Sequence, residues 1–218
     1  MTRMLAVKTG AIAVEPAPFV AVVDDDLGVR EALDSLLRSV GLVTLLFGSP
    51  TELLASALPS VPGCLLLDVR LPGLNGLDFQ EQLVRNGFAL PIVFMTGHGD
   101  IPMSVRAMKA GAVDFLTKPF REQDMLDAVT LAIARDRSRR GELEANHDLQ
   151  IAYETLTPRE REVMAHVTAG LMNKQVANAI GISEITVKIH RGNVMRKMQV
   201  RSLADLVRKA EALGISRI

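Results

Sequence analysis

Four short segments of the chain end in side chains that together could hold a metal ion and a phosphoryl group. Asp24 and Asp25 follow one apolar run, Asp68 follows a second, and Thr96 and Lys118 follow two more. If these positions converge, three carboxylates lie close together, and two unit charges about 4 Å apart repel by about 4 kcal/mol at an effective dielectric of about 20. A hard divalent cation such as Mg²⁺ relieves that repulsion, because it prefers oxygen ligands.

These residue types indicate phosphoryl transfer. A metal ion and the Lys118 ammonium group would neutralise phosphoryl oxygens, Thr96 would donate a hydrogen bond, and Asp68 would act as the nucleophile. Each residue also has an ordinary structural role, since an Asp pair after a strand is often a helix cap. The occurrence of Asp, Asp, Thr and Lys at four predicted strand ends favours the chemical role.

The elements that would position these side chains alternate between strands and helices. Short apolar runs predict five strands, at 19–23, 42–47, 64–67, 92–95 and 113–116, and segments with helical spacing separate them. This alternation predicts an α/β fold with a five-stranded parallel sheet, whose strands are buried on both faces by helices. The functional crevice of such a sheet lies beyond the carboxyl ends of its strands, where the candidate residues stand.

The last third of the chain reads as entirely helical. After residue 154 the apolar clusters keep helical spacing, and breaks at Gly170, Gly181 and near Arg201 predict four short helices. The third of these, at about 184–198, is expected to bury four apolar residues, Ile185, Ile189, Val194 and Met198. The polar side chains Lys188, Arg191, Asn193 and Lys197 would then lie outside, on the basic face that a DNA-reading helix requires.

Length and charge predict two domains with different tasks. The 218 residues divide into a flexible extension (1–18), a first domain (19–136), a helical linker (137–153) and a second domain (154–218). Residues 1–137 carry 12 basic and 16 acidic residues, a net charge of −4, whereas residues 138–218 carry 13 and 9, a net charge of +4. The basic second half favours a polyanionic partner.

Composition excludes several classes of protein. A hydrophobic fraction of 48% and balanced charge exclude a disordered chain, and the single cysteine, Cys64, excludes a disulfide framework. Apolar runs fall short of the roughly 20 residues of a membrane helix, and the first residues do not form a secretion signal. We therefore expect a cytoplasmic protein without a membrane partner.

Residues 19–136 resemble the receiver domain of bacterial two-component response regulators. The matching segments are 22–26 (VVDDD), 68–73 (DVRLPG), 95–99 (MTGHG) and 114–120 (DFLTKPF). The resemblance implies a five-stranded sheet with the flavodoxin-like strand order. It implies that Asp68 is the phosphoacceptor and that Mg²⁺ is bound by Asp25, Asp68 and the main-chain carbonyl of Arg70, with Asp24 acting through water. It further implies that Lys118 holds the phosphoryl group, Thr96 hydrogen-bonds it, and Phe115 moves with that threonine.

Residues 154–213 resemble the LuxR/FixJ-type helix-turn-helix, through 156–163 (LTPREREV), 170–174 (GLMNK) and 185–191 (ITVKIHR). The resemblance implies base or backbone contacts by Thr186, Lys188, His190 and Arg191, with Asn173 and Lys174 near the DNA backbone. His190 could instead be a half-buried filler. The final helix is implied as a dimer contact through Leu203, Leu206, Val207 and Ala210, although these residues could simply close the domain.

The whole chain resembles a FixJ/NarL-type response regulator, nearest to the FixJ branch. The implied function is transcription control: a sensor histidine kinase phosphorylates Asp68, the receiver repacks, and a homodimer binds double-stranded promoter DNA and acts with RNA polymerase. The implied chemistry is limited to Mg²⁺-dependent self-phosphorylation and dephosphorylation rather than enzyme turnover. The unphosphorylated receiver would either block the DNA-reading helix or fail to dimerise.

The sequence leaves three other functions open. A Mg²⁺-dependent phosphohydrolase would use Asp25 or Asp68 and turn over phosphate esters. A constitutive DNA-binding protein with an inert receiver would bind a promoter equally well with and without a phosphodonor. A protein–protein signalling module would lack the steep salt dependence that phosphate contacts produce.

Overall fold

The computed structural model describes residues 16–72, 74–97 and 101–215, and the chain divides into two compact units between Arg139 and Arg140. Most of the predicted N-terminal extension, residues 1–15, lies outside the described residues. The first unit has an α/β architecture and the second is helical. Both architectures agree with the predicted fold class.

A five-stranded parallel sheet forms the centre of the first unit. Its strands are β1 (Phe19–Val23), β2 (Val43–Phe47), β3 (Gly63–Asp68), β6 (Ile92–Thr96) and β7 (Asp114–Thr117), in the order β2-β1-β3-β6-β7. A separate two-stranded antiparallel pair, β4 (Arg70–Leu71) and β5 (Leu74–Asn75), directly follows β3. The sheet confirms the predicted strands, whereas the small pair was not predicted.

Among the described residues, four helices lie between strands of this unit, and a fifth follows the last strand. They are α1 (Leu27–Ser39), α2 (Pro50–Ala55), α3 (Gly76–Arg85), α4 (Ile101–Lys109) and α5 (Glu122–Glu154). Helix α1 begins at the N-cap Asp26, whose carboxylate accepts hydrogen bonds from the main chain of Gly28 (2.7 Å) and Val29 (3.2 Å). This local cap fixes how the chain leaves β1, directly beside Asp24 and Asp25.

The prediction that every strand is buried on both faces holds for three of the five. Strands β1, β3 and β6 are fully buried, whereas β2 and β7 are only partly buried. The two partly buried strands form the edges of the sheet, where neighbouring elements cover less surface. The strand that leads to Asp24 and the strands that end at Asp68 and Thr96 therefore form the buried centre of the sheet.

The apolar core lies on both sides of the sheet, because successive side chains of a strand point to opposite faces. Leu65 and Leu67 pack with Phe94 on one face, whereas Cys64 and Leu66 pack on the other. Burial raises the pKa of the Cys64 thiol to about 12, so this side chain packs as a neutral group.

The second unit contains the end of α5 and four shorter helices, as predicted. They are α6 (Pro158–Thr168), α7 (Asn173–Ile180), α8 (Glu184–Lys197) and α9 (Leu203–Ala212). Thr157 and Glu160 cap α6 reciprocally, and the core contains Val163, Val176 and Val187. Within the described ranges, no helix combines the length and hydropathy needed to cross a bilayer.

Candidate phosphoacceptor site and nucleic-acid interface

The three predicted carboxylates meet at the carboxyl edge of the sheet. Asp24 follows β1 and Asp68 ends β3, and these adjacent strands pair in register up to Val23 and Leu67. Ligand oxygens of Asp24, Asp25 and Asp68 lie within 4.8 Å of one another. Asp24 and Asp68 are buried and Asp25 is exposed, so the cluster has a closed inner side and an open outer side.

Lys118 supplies the positive charge of this cluster. Its Nζ atom lies 2.5 Å from Oδ2 of Asp24 and 2.8 Å from Oδ2 of Asp68. The residue follows β7, and its main-chain N–H donates to the carbonyl of Thr96 (2.7 Å) across the sheet. The ammonium group therefore reaches the carboxylates from a strand that is two positions away from β3.

The pKa values of Asp24 and Lys118 are both raised above their ordinary values. Burial raises the pKa of Asp24, and the hydrogen bond from Lys118 only partly offsets that effect. Burial alone would lower the pKa of Lys118, but its hydrogen bonds to Asp24 and Asp68 outweigh burial and raise the pKa. Lys118 is thus held as a cation beside the carboxylates.

Main-chain groups orient the carboxylates and the loop around them. Oδ1 of Asp24 accepts from the N–H of Asp26 and Oδ1 of Asp68 accepts from the N–H of Arg70, both at 3.0 Å. The Arg30 guanidinium donates to the main-chain carbonyl of Asp24 (2.5 Å). Each buried carboxylate is therefore oriented by one main-chain N–H and by Lys118. Arg30 was not among the predicted residues, because its separation of six residues from Asp24 in the sequence does not reveal a contact with the main chain.

Gly76, at the start of α3, touches the main chain of the phosphoacceptor candidate. A Cβ atom at this position would stand 2.5 Å from the carbonyl oxygen of Asp68 and 2.9 Å from Cα of Val69. The Gly76 N–H donates to the carbonyl of Val69 (2.8 Å). Only glycine fits this contact, and Gly76 was not among the residues predicted from the sequence.

The predicted switch residues lie on the two adjoining strands. Thr96 is fully buried at the end of β6 and pairs in register with Thr117 of β7. Phe115 is partly buried, and its ring centroid lies 6.3 Å from that of Phe94. Phe115 therefore stands two residues before Thr117 in the strand beside β6, in contact with the apolar core.

The side chains of this cluster suit a hard cation. The three clustered aspartates offer carboxylate oxygens only, and Asp25 faces the open side. Mg²⁺ binds through one or two carboxylates while it keeps several waters, so a partly open set of oxygens meets its requirements. The cluster can therefore hold a divalent metal ion.

The second unit contains two helices joined by a tight turn. Helix α7 ends at Gly181, whose φ of 70° lies in the left-handed region that favours glycine. Ser183 then caps α8, and its hydroxyl accepts from the N–H of Thr186 (3.1 Å). The turn and cap set the direction in which α8 leaves α7, as in a helix-turn-helix.

The predicted DNA-contact residues differ in how exposed their side chains are and in whether those side chains already form hydrogen bonds. Lys174 and Lys188 are exposed, and Asn173, Thr186 and Asn193 are partly exposed. Arg191 is partly exposed and donates to Oδ1 of Asn173 (3.1 Å), and the Thr186 hydroxyl pairs with that of Ser183 (2.8 Å). His190 is half-buried, and its buried Nδ1 has no hydrogen-bond partner among the described residues.

Lys197 is held inside the second unit. Its Nζ atom lies 2.7 Å from Oε2 of buried Glu160 and 2.9 Å from the carbonyl of Thr155. Hydrogen bonds to a buried carboxylate occupy the ammonium group that was predicted to contact DNA. The structure therefore shows Lys197 in an ion pair within the unit, and its contact with DNA stays a prediction.

The prediction that Ile185 and Ile189 are buried is wrong. Ile185 is 74% exposed and Ile189 is 60% exposed, whereas Val187 and Val194 are buried. Helix α8 carries apolar residues on more than one side, so its spacing alone did not determine which side faces the core. The exposed side of α8 thus combines apolar and basic residues.

Two of the four predicted dimer contacts lie in the core. Leu206 and Ala210 are 0% and 1% exposed and pack with the other core residues of the second unit. Val207 is partly exposed, and Leu203 is 40% exposed. Leu206 and Ala210 close the domain, which is the alternative that the sequence left open, and only Leu203 and Val207 remain accessible.

Comparisons with known proteins show which families the two parts of the chain match. Residues 20–130 match the response regulator receiver domain family, and residues 154–210 match the luxR family of bacterial regulatory proteins. Nodulation protein W of Bradyrhizobium diazoefficiens is 59% identical over 197 residues, covering 90% of this chain and 87% of that protein. Transcriptional regulatory protein FixJ of the same species is 43% identical over 196 residues, covering 89% and 95%.

A solved structure has the same fold. The response regulator StyR superimposes with a TM-score of 0.80 at 49% identity, covering 90% of this chain and 99% of StyR. A receiver fold with clustered aspartates and a lysine, followed by a helix-turn-helix, defines a DNA-binding response regulator. The chain belongs to the FixJ/NarL family of two-component response regulators.

Proposed function

We propose that Asp68 accepts a phosphoryl group from a sensor histidine kinase and that this modification controls DNA binding by α8. The observation that carries the proposal is the contact of Lys118 with both Asp24 and Asp68 beside an exposed carboxylate, Asp25. A histidine kinase is the phosphodonor that a receiver domain implies, and duplex DNA is the ligand that a LuxR-type domain implies.

The chemistry is the transfer of a phosphoryl group to a carboxylate oxygen of Asp68. The carboxylate forms the new P–O bond, while the donor's P–N bond breaks and its electron pair returns to the imidazole. Lys118 neutralises charge on the transferred group, and the Thr96 hydroxyl donates a hydrogen bond to it. Asp24, through water, and Asp25, Asp68 and the Arg70 carbonyl would hold Mg²⁺, which supplies further neutralisation when bound.

The added charge gives a reason for the receiver to repack. Moving a two-state equilibrium from mostly inactive to mostly active requires about 5.5 kcal/mol of differential interaction. Charge-assisted hydrogen bonds contribute about 1.5–3 kcal/mol each, so two or three new ones at the phosphoryl group are enough. An inward shift of Thr96 would leave space for Phe115, which lies on the adjoining strand.

The DNA face that we propose is smaller than the set predicted from the sequence. Lys174 and Lys188 are exposed cations suited to phosphate contacts, and the Asn173–Arg191 pair links α7 to α8 beside them. Thr186, His190 and Asn193 are secondary candidates because each is partly buried. Binding as a phosphorylated homodimer that acts with RNA polymerase belongs to the same proposal, and Leu203 and Val207 are the predicted α9 residues that remain accessible for it.

Phosphorylation is tested directly with a labelled small phosphodonor. The full-length chain should be labelled in the presence of Mg²⁺, and both chelation and Asp68→Asn should abolish the label. Asp127→Asn is the matched control, because Asp127 is an exposed aspartate of α5 in the same unit. Undiminished labelling of the Asp68 variant would contradict the proposal. Continuous turnover of phosphate esters would instead support a phosphohydrolase.

A further inference from the structure

Ile185 is an apolar side chain placed at the exposed start of the DNA-reading helix. It is the second residue of α8 and is 74% exposed, whereas the buried residues of this helix are Val187 and Val194. N-terminal residues of a recognition helix are the ones that reach base edges in the major groove. Ile185 therefore stands where sequence is read, rather than where the domain is packed.

The surroundings of Ile185 favour DNA over an apolar protein partner. Lys188 is exposed three residues further on, on the same helical face. Gly192 continues that face, and a Cβ atom added there meets open space among the described residues. From residue 184 to 201 the sequence has five basic residues and one acidic residue. Ile189 lies four residues after Ile185 on this face and is 60% exposed, so the surface combines apolar side chains with the Lys188 cation. Such a surface is complementary to a polyanion that carries small apolar groups.

The base edges of duplex DNA carry one apolar group of this kind. In the major groove thymine exposes its 5-methyl group, whereas the other base edges there present hydrogen-bond donors and acceptors. The polar side chain next in sequence is already engaged, since the Thr186 hydroxyl pairs with Ser183. We propose that Ile185 recognises a thymine methyl group in each half-site of the operator. This inference rests on the proposed DNA-binding function.

The test first removes the thymine methyl group from the DNA and then truncates the Ile185 side chain. A duplex is first selected from a random-sequence pool with the full-length, phosphodonor-treated chain, and each thymine is then replaced singly by uracil. For the unmodified chain, one replacement in each half-site should weaken binding about fourfold, as expected for one lost methyl contact. Ile185→Ala should weaken binding to the original duplex and should no longer distinguish thymine from uracil at that position.

Ile151→Ala is the matched control, because Ile151 is an isoleucine of α5 that is 48% exposed. It should bind like the unmodified chain and keep the preference for thymine. Thermal unfolding should be unchanged for both variants, since each side chain is exposed. Uracil substitution without effect, or a thymine preference that survives Ile185→Ala, would overturn the inference while leaving DNA binding intact. Failure to select any duplex would overturn the DNA-binding proposal together with it.

Discussion

The Lys118 ammonium group lies 2.8 Å from the Asp68 carboxylate, although Asp68 ends β3 and Lys118 follows β7, and β6 separates these two strands. The same group lies 2.5 Å from Asp24, so one cation bridges two buried acids. Removal of that cation leaves the cluster of Asp24, Asp25 and Asp68 without its nearest positive charge. Lys118 therefore has two opposing effects at this site. It favours binding of the phosphoryl group, but it competes with a metal ion for the carboxylates.

Lys118→Met is expected to change metal binding and phosphorylation in opposite directions. Mg²⁺ should bind at least about threefold more tightly, because a unit positive charge close to its ligands has been removed. Labelling by a phosphodonor should fall, because the phosphoryl oxygens lose their cation. Isothermal titration calorimetry measures the first effect, and Lys109→Met, an exposed lysine of α4, is the control. Unchanged Mg²⁺ affinity in the Lys118 variant would show that this ammonium group does not compete with the metal ion.

Gly76→Ala is expected to destabilise the first unit by about 1–3 kcal/mol, because main-chain atoms of Asp68 and Val69 must move away from the new methyl group. The same displacement should slow labelling of Asp68. Chemical unfolding and a labelling time course measure the two effects. Gly141→Ala is the control, since a Cβ atom there meets open space among the described residues. Wild-type stability and labelling of the Gly76 variant would show that this contact is dispensable.

The Glu160–Lys197 pair is expected to make the second unit sensitive to acid. Burial alone would raise the pKa of Glu160, but hydrogen bonds from Lys197 and Thr157 outweigh burial and lower the pKa. The contribution to stability is therefore complete above the ordinary pKa of 4.5 and is lost as the pH falls further, through the lowered value. Unfolding at a series of pH values should show this loss.

Lys197→Met tests whether that ion pair is the cause. It should destabilise the second unit by about 2–3 kcal/mol near neutral pH, because Glu160 is left buried without its partner. It should also flatten the dependence below pH 4.5. Arg196→Met is the control, since Arg196 is an exposed neighbour on the same helix. If Lys197 contacted DNA phosphates instead, its variant would lose affinity with full stability.

Leu206→Ala and Leu203→Ala separate the two roles considered for α9. Leu206 is fully buried, so its truncation should cost about 2–5 kcal/mol, whereas Leu203 is partly exposed and should cost less than about 1 kcal/mol. Only the Leu203 variant is then suited to a dimer test by sedimentation of the phosphorylated chain. Equal losses of stability would show that Leu203 also belongs to the core.

The sequence predicted the sheet and the acidic cluster because both follow from the direction of the strands. Parallel strands bring their carboxyl ends to one edge, so Asp24 and Asp68 converge whatever the details of the loops. The contacts of Gly76 and Arg30 with the main chain were not predictable in this way. They depend on how two loops approach each other, and residue spacing does not describe that approach.

The orientation of α8 could not be predicted for a different reason. Ile185, Val187, Ile189 and Val194 offer apolar residues on several sides, so periodicity favours no single buried face. The structure buries Val187 and Val194 and leaves both isoleucines exposed. The ion pair of Lys197 was not predicted, because its partner, Glu160, lies 37 residues earlier in the chain.

Control of DNA binding by a phosphoryl group on Asp68 can be measured in a single binding titration. Fluorescence anisotropy of a labelled duplex, selected as above, is recorded with and without phosphodonor for the full-length chain and for Asp68→Asn. Phosphodonor should increase the affinity of the unmodified chain at least about tenfold and should leave that of the variant unchanged. Equal affinity before and after stoichiometric labelling of Asp68 would show that phosphorylation does not control DNA binding.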